Sequence, residues 1–480
     1  MDRRTFIKYA AAWSLSVGPA RRLWAGVSGR IRGRVTTDGK ALAGVRCSDG
    51  RRVVITDSQG RFAIDVAGDG GPFVFVVTPT GYWTDRFYVP TAHAVKNEVV
   101  FNLRPTGPAD RYIAAYLTDI HLGAGDGDIA YQRMGATVDE LNAMPDRPAF
   151  VLTGGDICLQ NAQGQRYVEL MSRLKMPLRT GLGNHELLVA EPDPRGRFGT
   201  LFGPSYHSFD CGHVHYVLLD GCRVHPERET YKNVWGEVRP RELAWLENDL
   251  KAVPDGRPTV VAVHIPLVST YCERRSTKPS DAPWWIIQNA DKVIDVLKQF
   301  NVPLVLQGHV HENERIRRGP IEFAATVAVS GSWWRATTGR ELGLSNEPRG
   351  YRLIEVNGTR ISHRYVASAE SRTSDPGELM GLVDGQLVRE HEIVVNFYDA
   401  SDSATVVGRI DNGPSSRWVP ATHSGTLKDL VAAHRWRFAR DALAPGWHDV
   451  EVRCVDPPRL DTKVRTRVRV VERDASAETG

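Results

Sequence analysis

A chain of 480 residues is too long for one ordinary hydrophobic core, so two or three domains are expected. With 41% hydrophobic and 25% charged residues it is neither disordered nor collagen-like, and no apolar run approaches the roughly 18 residues of a membrane span. Sixty-one Lys and Arg against 57 Asp and Glu give a formal charge of +4 over a large surface, far from the dense basic stripe of a protein that tracks a nucleic-acid backbone.

The chain opens MDRRTFIK, with Arg3 and Arg4 ahead of the small, apolar AAAWSLSVG. This resembles a twin-arginine export signal over 1–28 and implies a periplasmic or secreted protein, although Asp2 stands where Ser or Thr is usual. Short alternating runs over 29–108, broken by Asp38-Gly39, Asp49-Gly50 and Gln59-Gly60, predict hairpins in a small β-sandwich. Its Thr56-Asp57 and Gly60-Arg61-Phe62 turn resembles accessory sandwiches of the carboxypeptidase-regulatory type.

From Tyr112 the rhythm changes. YIAAYLTD, AFVLTGGD and PLRTGLGN read as strands buried on both faces, separated by the helix-like stretches DIAYQRMGATVDELNAM and AQGQRYVELMSRLK. Further strands are expected at 213–219, 259–264, 304–308, 323–330 and 351–356, and helices at 240–251 and 289–300. The order predicts an α/β domain over 109–368: a β-sheet sandwich covered by helices. Beyond Ala369 helical periodicity disappears, and HEIVVNFYD, ATVVGRID, HDVEVRCVD and TKVRTRVRVVE predict a C-terminal β-rich domain over 369–480. Six scattered cysteines form no CxxC pair, against a structural zinc site, and leave one or two disulfides open.

Five short segments put ligand-type residues at the C-terminal end of an apolar strand. They are Asp119-Ile120-His121, Gly155-Asp156, Gly183-Asn184-His185-Glu186, Val263-His264 and Gly308-His309-Val310-His311. In an open α/β sheet the loops beyond the strand ends converge at that edge, so the five can meet. Asp119 and His121 lie two apart, as do His309 and His311; in extended chain each pair aims to one side. Carboxylate oxygens mixed with imidazole nitrogens suit Zn, Mn or Fe rather than Ca or Mg. Gly308 reads as the residue of a tight turn that presents His309. His207, His213, His215 and His225 read as surface or strand histidines outside the cluster.

The order DxH, GD, GNHE, isolated His, GHVH resembles the calcineurin-like metallophosphoesterase family, in its bacterial form with extra N- and C-terminal β-domains. The resemblance covers roughly 111–367. It implies that Asp119, His121 and His311 hold one metal, that Asn184, His264 and His309 hold a second, and that Asp156 bridges both. It implies for His185 a place just outside, contacting phosphate as an acid or orienting group. GGDICLQN lacks the Arg that often follows in the eukaryotic phosphatases, which removes one source of leaving-group assistance.

Two cations sharing a carboxylate can acidify water and neutralise an anionic ester, so the expected activity is hydrolysis of a phosphomonoester or phosphodiester by a metal-activated hydroxide. The substrate expected is a phosphate ester, a small molecule or a lipid headgroup. No specific nucleic-acid binding is indicated, and the oligomeric state is left open. Tyr271, Arg274, Arg275, Trp333, Trp334 and Arg335 could shape the substrate mouth, with Arg offering bidentate phosphate contacts. The stretches 189–203 and 269–285 are candidates for a lid or specificity wall. The rival reading is a noncatalytic cell-envelope binding protein with a relic metal centre; it calls for lost ligands, and none is lost.

Overall fold

The computed structural model describes residues 27–471, apart from 108, 124–127, 159–161, 189–193, 226–231, 255, 332–334, 338–339, 344–345, 370–375, 381, 384–385, 389–392, 412, 415, 418, 421–433, 438–442 and 458–459. The export-like segment therefore falls almost entirely outside the described residues.

Near the N-terminus, Ser28–Thr37, Arg61–Ala67 and Val99–Pro105 alternate exposed and buried positions, the signature of strands with one wet face. They build a five-stranded sheet with Lys40–Ala41 and Tyr82–Trp83. A four-stranded sheet of Val53–Ile55, Arg46–Ser48, Phe73–Val76 and Tyr88–Pro90 completes the pair of sheets. Their buried side chains, Ile31, Val35, Phe62, Ile64 and Phe101 among them, belong to one hydrophobic cluster that runs on into the central domain.

The central domain begins with β1 (Arg111–Leu117), α1 (Ile129–Ala143), β2 (Val151–Thr153), α2 (Ala162–Met171) and β3 (Leu178–Thr180). It continues with α3 (Pro194–Phe202), β4 (His207–Cys211), β5 (Val214–Leu219), α4 (Pro240–Lys251) and β6 (Thr259–Val263). Then follow α5 (Ala290–Leu297), β7 (Leu304–Gln307), β8 (Glu314–Arg318), β9 (Ile321–Ala325), β10 (Gly350–Asn357) and β11 (Arg360–Ala367). One sheet runs β3-β2-β1-β10-β11 and the other β4-β5-β6-β7-β9-β8. β1, β2 and β3 are mutually parallel, as are β5, β6, β7 and β9.

Side-chain alternation explains why these strands are buried on both faces. Ala114, Tyr116, Leu152, Tyr216, Leu218, Val260, Ala262, Leu304, Leu306 and Ile354 form a cluster between the sheets. Their neighbours Ala115, Leu117, Val151, Val217, Val261, Val263 and Val305 turn outward into the helix-side cluster with Met134, Val138, Leu170, Trp245, Leu246 and Val293. α4 occupies the residues expected of it, with Pro240 in its first turn, where a missing N–H costs nothing. The strand expected over 323–330 stops at Ala325, because the following donors go elsewhere: Val327 N–H to Asn313 Oδ1 (3.2 Å) and Val329 N–H to Thr118 O (3.1 Å).

Buried charges tie both flanking domains down. On the N-terminal side, Arg46 Nη2 lies 2.7 Å from each oxygen of Asp210, and Arg179 is 3% exposed between the rings of Trp83 (3.8 Å) and Phe87 (4.1 Å). On the C-terminal side, Arg315 Nη1 meets Asp456 Oδ2 and Arg352 Nη1 meets Asp399 Oδ1, both at 2.8 Å. The C-terminal domain is itself two sheets, dominated by the antiparallel pair Gly446–Asp456 and Leu460–Val471. All six cysteines are free thiols, so neither of the disulfides left open by the sequence is formed.

Candidate metal centre

Each ligand-type side chain stands within five positions after the last residue of β1, β2, β3, β6 or β7. The two sheets present these edges at one end of the sandwich. Asp119 Oδ1 is 3.1 Å from His311 Nε2 and 3.9 Å from His264 Nε2. Asp156 Oδ2 is 3.1 Å from His264 Nε2 and 3.7 Å from His121 Nε2. Among the described residues, two donor groups suited to a cation are Asp119/His121/His311 and Asp156/His264/His309. Asn184 Oδ1, 3.1 Å from His264 Nε2, adjoins the second. A further grouping, His121/Asp156/His185, overlaps both.

Backbone conformation is what aims these side chains. Asp119 (φ 56°), His121 (φ 48°), Asp156 (φ 52°), His309 (φ 71°) and His311 (φ 55°) all occupy the left-handed region. For a residue with a Cβ that costs about 1 kcal/mol each, and it persists only where the surroundings impose it. The expectation that each two-apart pair would share a side as extended chain is thus corrected. Asp119 and His121 do converge, 3.6 Å apart at Oδ1 and Nε2, but through a turn beyond the strand. His309 and His311 diverge into different donor groups. Gly308 opens the tight turn expected of it, its carbonyl accepting the Val310 N–H (2.8 Å) across His309, and a Cβ there would also lie 2.1 Å from Thr118 Oγ1.

The donor set fits cations on its own chemistry. His264 Nδ1 donates to the Gly154 carbonyl (2.9 Å), which points its Nε2 at two oxygens, Asn184 Oδ1 and Asp156 Oδ2, both at 3.1 Å. Burial works against a proton on His264, but Asp156 and Asp119 outweigh it and carry the pKa up to about 9, so this pocket attracts positive charge. His309 Nε2 donates to the Trp284 carbonyl (2.8 Å), and its Nδ1 is buried without a hydrogen-bond partner. Burial and His264 lower its pKa to about 3, so this imidazole is neutral with an unshared lone pair. His121 Nε2 and His311 Nε2 stand 3.1 Å apart beside Asp119, an arrangement that a shared cation relieves.

His185 differs from the rest. Its side chain is 22% exposed, the most open of the cluster, and its backbone N–H donates to Asp156 Oδ1 (2.8 Å). The ring packs edge-on to His121 at 4.7 Å.

The residues that brace the cluster escaped sequence reasoning. Glu186 was visible only as the end of a motif, yet its buried carboxylate accepts four backbone N–H groups. Burial and Asp156 push its pKa up to about 7, while the Gly183 and Cys158 N–H groups and His264 pull it down. The Trp284 carbonyl, which fixes the tautomer of His309, has no sequence signature at all. Trp285 packs 5.1 Å from the His309 ring and 4.8 Å from Tyr271, so the 269–285 stretch does border the centre.

Arg274 and Arg275 are not phosphate clamps: both guanidiniums bind Glu312, directly after His311. Trp333 and Trp334 lie outside the described residues, as does the start of the 189–203 stretch. The other histidines have structural partners: His215 lies between Asp210 and Asp249 (both 2.8 Å), His213 pairs with Asp110, and His225 stacks on Trp235.

The family models agree with this geometry. Family models match in three successive segments: the N terminal of calcineurin-like phosphoesterase at 29–106, calcineurin-like phosphoesterase itself at 114–313, and its C terminal at 324–426. A 3',5'-cyclic-nucleotide phosphodiesterase of Nostoc sp. is 24% identical over 255 residues, 50% of this chain and 86% of that protein. Purple acid phosphatase 23 of Arabidopsis thaliana is 30% identical over 169 residues, 32% of each chain. Among solved structures, GAP50 of Plasmodium gives a TM-score of 0.40 at 16% identity, covering 55% of this chain and 87% of that one. Phosphopantetheinyl hydrolase of Mycobacterium tuberculosis gives 0.32 at 15%, covering 46% and 90%. The chain belongs to the calcineurin-like phosphoesterase family: an α/β metallophosphoesterase core between N- and C-terminal β-rich domains, with His/Asp donor groups suited to a dinuclear, metal-dependent hydrolytic site.

Proposed function

We propose that the chain hydrolyses a phosphodiester with two ions drawn from Zn, Mn and Fe. The observation that carries this reading is the position of Asp156: its Oδ1 is tied to the His185 N–H, and its Oδ2 faces His264 and His121, which belong to different donor groups. Asp119, His121 and His311 would hold one ion and Asn184, His264 and His309 the other, with Asp156 common to both. When bound, such ions neutralise phosphoryl oxygens and acidify water. His185, the most open imidazole of the cluster, would hydrogen-bond the ester oxygens and supply a proton there. Support for a diester comes from the Nostoc relative, a phosphodiesterase by name, which is matched along most of its length.

The test is turnover of bis-p-nitrophenyl phosphate against p-nitrophenyl phosphate, with Mn or Zn added and with a chelator. The expected result is faster diester hydrolysis that the chelator abolishes. Preference for the monoester overturns the diester assignment; hydrolysis of neither, with both metals bound, shifts weight to a metal hydrolase acting on a different bond. His185→Ala is expected to keep its metal content and lose turnover by about 100-fold. Full activity on both esters would remove its role, and a fall in metal content would make it a ligand instead.

We propose also that the Arg3-Arg4 segment exports the chain from the cytoplasm, on its likeness to a twin-arginine signal. A double Arg3→Lys, Arg4→Lys variant should accumulate in the cytoplasmic fraction. Unchanged export would refute that route.

A further inference from the structure

Glu186 sits on a helical turn, His185–Leu187, directly after two residues of the centre. Its carboxylate is only 9% exposed at the residue level, and both oxygens are saturated by main chain. Oε2 accepts from Asp156 N–H (3.0 Å) and Gly183 N–H (2.8 Å); Oε1 accepts from Ile157 N–H (2.8 Å) and Cys158 N–H (3.1 Å). Neither oxygen is left to bind an ion or move a proton, so a direct chemical part is ruled out by valence.

The hold is reciprocal, because the His185 N–H donates back to Asp156 Oδ1 at 2.8 Å. It also reaches further. The loop that Glu186 grips passes its carbonyls to the loop after β1: Gly155 O takes the Asp119 N–H (3.2 Å), Asp156 O the His121 N–H (2.9 Å), and Ile157 O the Leu122 N–H (2.9 Å). One side chain thus connects the backbones that carry Asp119, His121, Asp156 and Asn184, three of them in left-handed conformations that need outside support. The space is filled tightly, since a Cβ on Gly183 would lie 2.2 Å from Asp156 Oδ1.

We infer that Glu186 is a positioning residue for the dinuclear centre: it orders the three loops of the first sheet in advance, so that the donor atoms are already assembled when ions arrive. The inference rests on the reading of Asp156 as a ligand shared by both ions.

Glu186→Gln tests it with the shape kept. An amide can turn only one oxygen toward two of the four donors; its NH2 must face the other pair, which loses those bonds and adds repulsion. Affinity for Mn or Zn alone, measured by competition with a chelating dye, is expected to fall about 10- to 100-fold. At limiting metal kcat should drop with KM unchanged, and excess metal should restore it. Glu186→Asp, too short to reach all four donors, should fall between. Unchanged metal affinity in a folded Gln variant refutes the brace, as does a kcat deficit that saturating metal leaves in place. Should both variants fail to fold, hydrogen exchange on the metal-free wild type decides: the N–H groups of Asp156, Ile157, Cys158 and Gly183 are expected to be protected as a set, and rapid exchange overturns the inference. Failure of the wild type to bind metal would instead sink the reading of the centre itself.

Discussion

Asp156→Asn is expected to lower turnover by at least about 1,000-fold and to leave the purified protein short of metal. The substitution preserves volume, and an amide oxygen can still accept the His185 N–H, as Oδ1 does now at 2.8 Å. What it cannot preserve is the other side. An NH2 would then stand where Oδ2 faces the Nε2 atoms of His264 (3.1 Å) and His121 (3.7 Å), removing a negative charge from the point where the two donor groups meet. Each remaining group keeps imidazoles but loses the carboxylate they share. Elemental analysis of metal per chain, set beside kcat on the better ester, checks this. Wild-type turnover with two metals per chain would mean that Asp156 is not shared.

The largest effect on stability is expected at a residue far from any chemistry. Arg352, in the middle of β10, is fully buried. Its Nη1 meets Asp399 Oδ1 (2.8 Å) and His363 Nδ1 (2.9 Å), while Nε reaches Thr326 Oγ1 and Nη2 the Ala325 carbonyl, both at 3.3 Å. Arg352→Met fills much of the volume but takes from Asp399 its direct ion-pair partner at the junction with the C-terminal domain, leaving it the Tyr365 N–H (2.9 Å) and the fields of Arg315 and His363, a loss of about 3 kcal/mol. The sign with pH follows from Asp399. Burial opposes its ionisation, but Arg352, Arg315 and His363 overcome this and hold its pKa below the ordinary value. Stability from that depressed pKa is present above the unfolded carboxylate pKa and is lost as pH falls through the folded one. The gap between wild type and variant should therefore be widest near neutrality and narrow in acid. Urea unfolding at both pH values measures it; a gap below about 1 kcal/mol at pH 7 would show that the pair contributes little.

The ligand residues were legible because their signal is local and chemical: an acid or imidazole just past an apolar run needs no distant information to be noticed. The same holds for α4, whose start is marked by Pro240, and for strands buried on both faces, which read as unbroken apolar runs. β11 was passed over because RISHRYVA is polar and only partly buried; it is a strand chiefly because β10 offers eight residues to pair with. Left-handed backbones at five ligand positions were beyond reach for a related reason. They are imposed by hydrogen bonds between loops, such as His121 N–H to Asp156 O, that join residues far apart in sequence. Arg274 and Arg275 misled because the sequence shows a cation without showing the carboxylate of Glu312 that already occupies it.

Arg179 lies on β3, yet the rings that sandwich it, Trp83 and Phe87, come from the N-terminal domain, as does the Thr78 hydroxyl 3.3 Å from its Nη2. A guanidinium caged by aromatic rings keeps its charge out of water only while both halves of the cage are present. The strand that leads to Asn184 and His185 is therefore walled on one side by a neighbouring domain. Removing that neighbour would uncover the Arg179 guanidinium on the very strand that leads to the metal centre, so the N-terminal domain is part of what holds that strand in place.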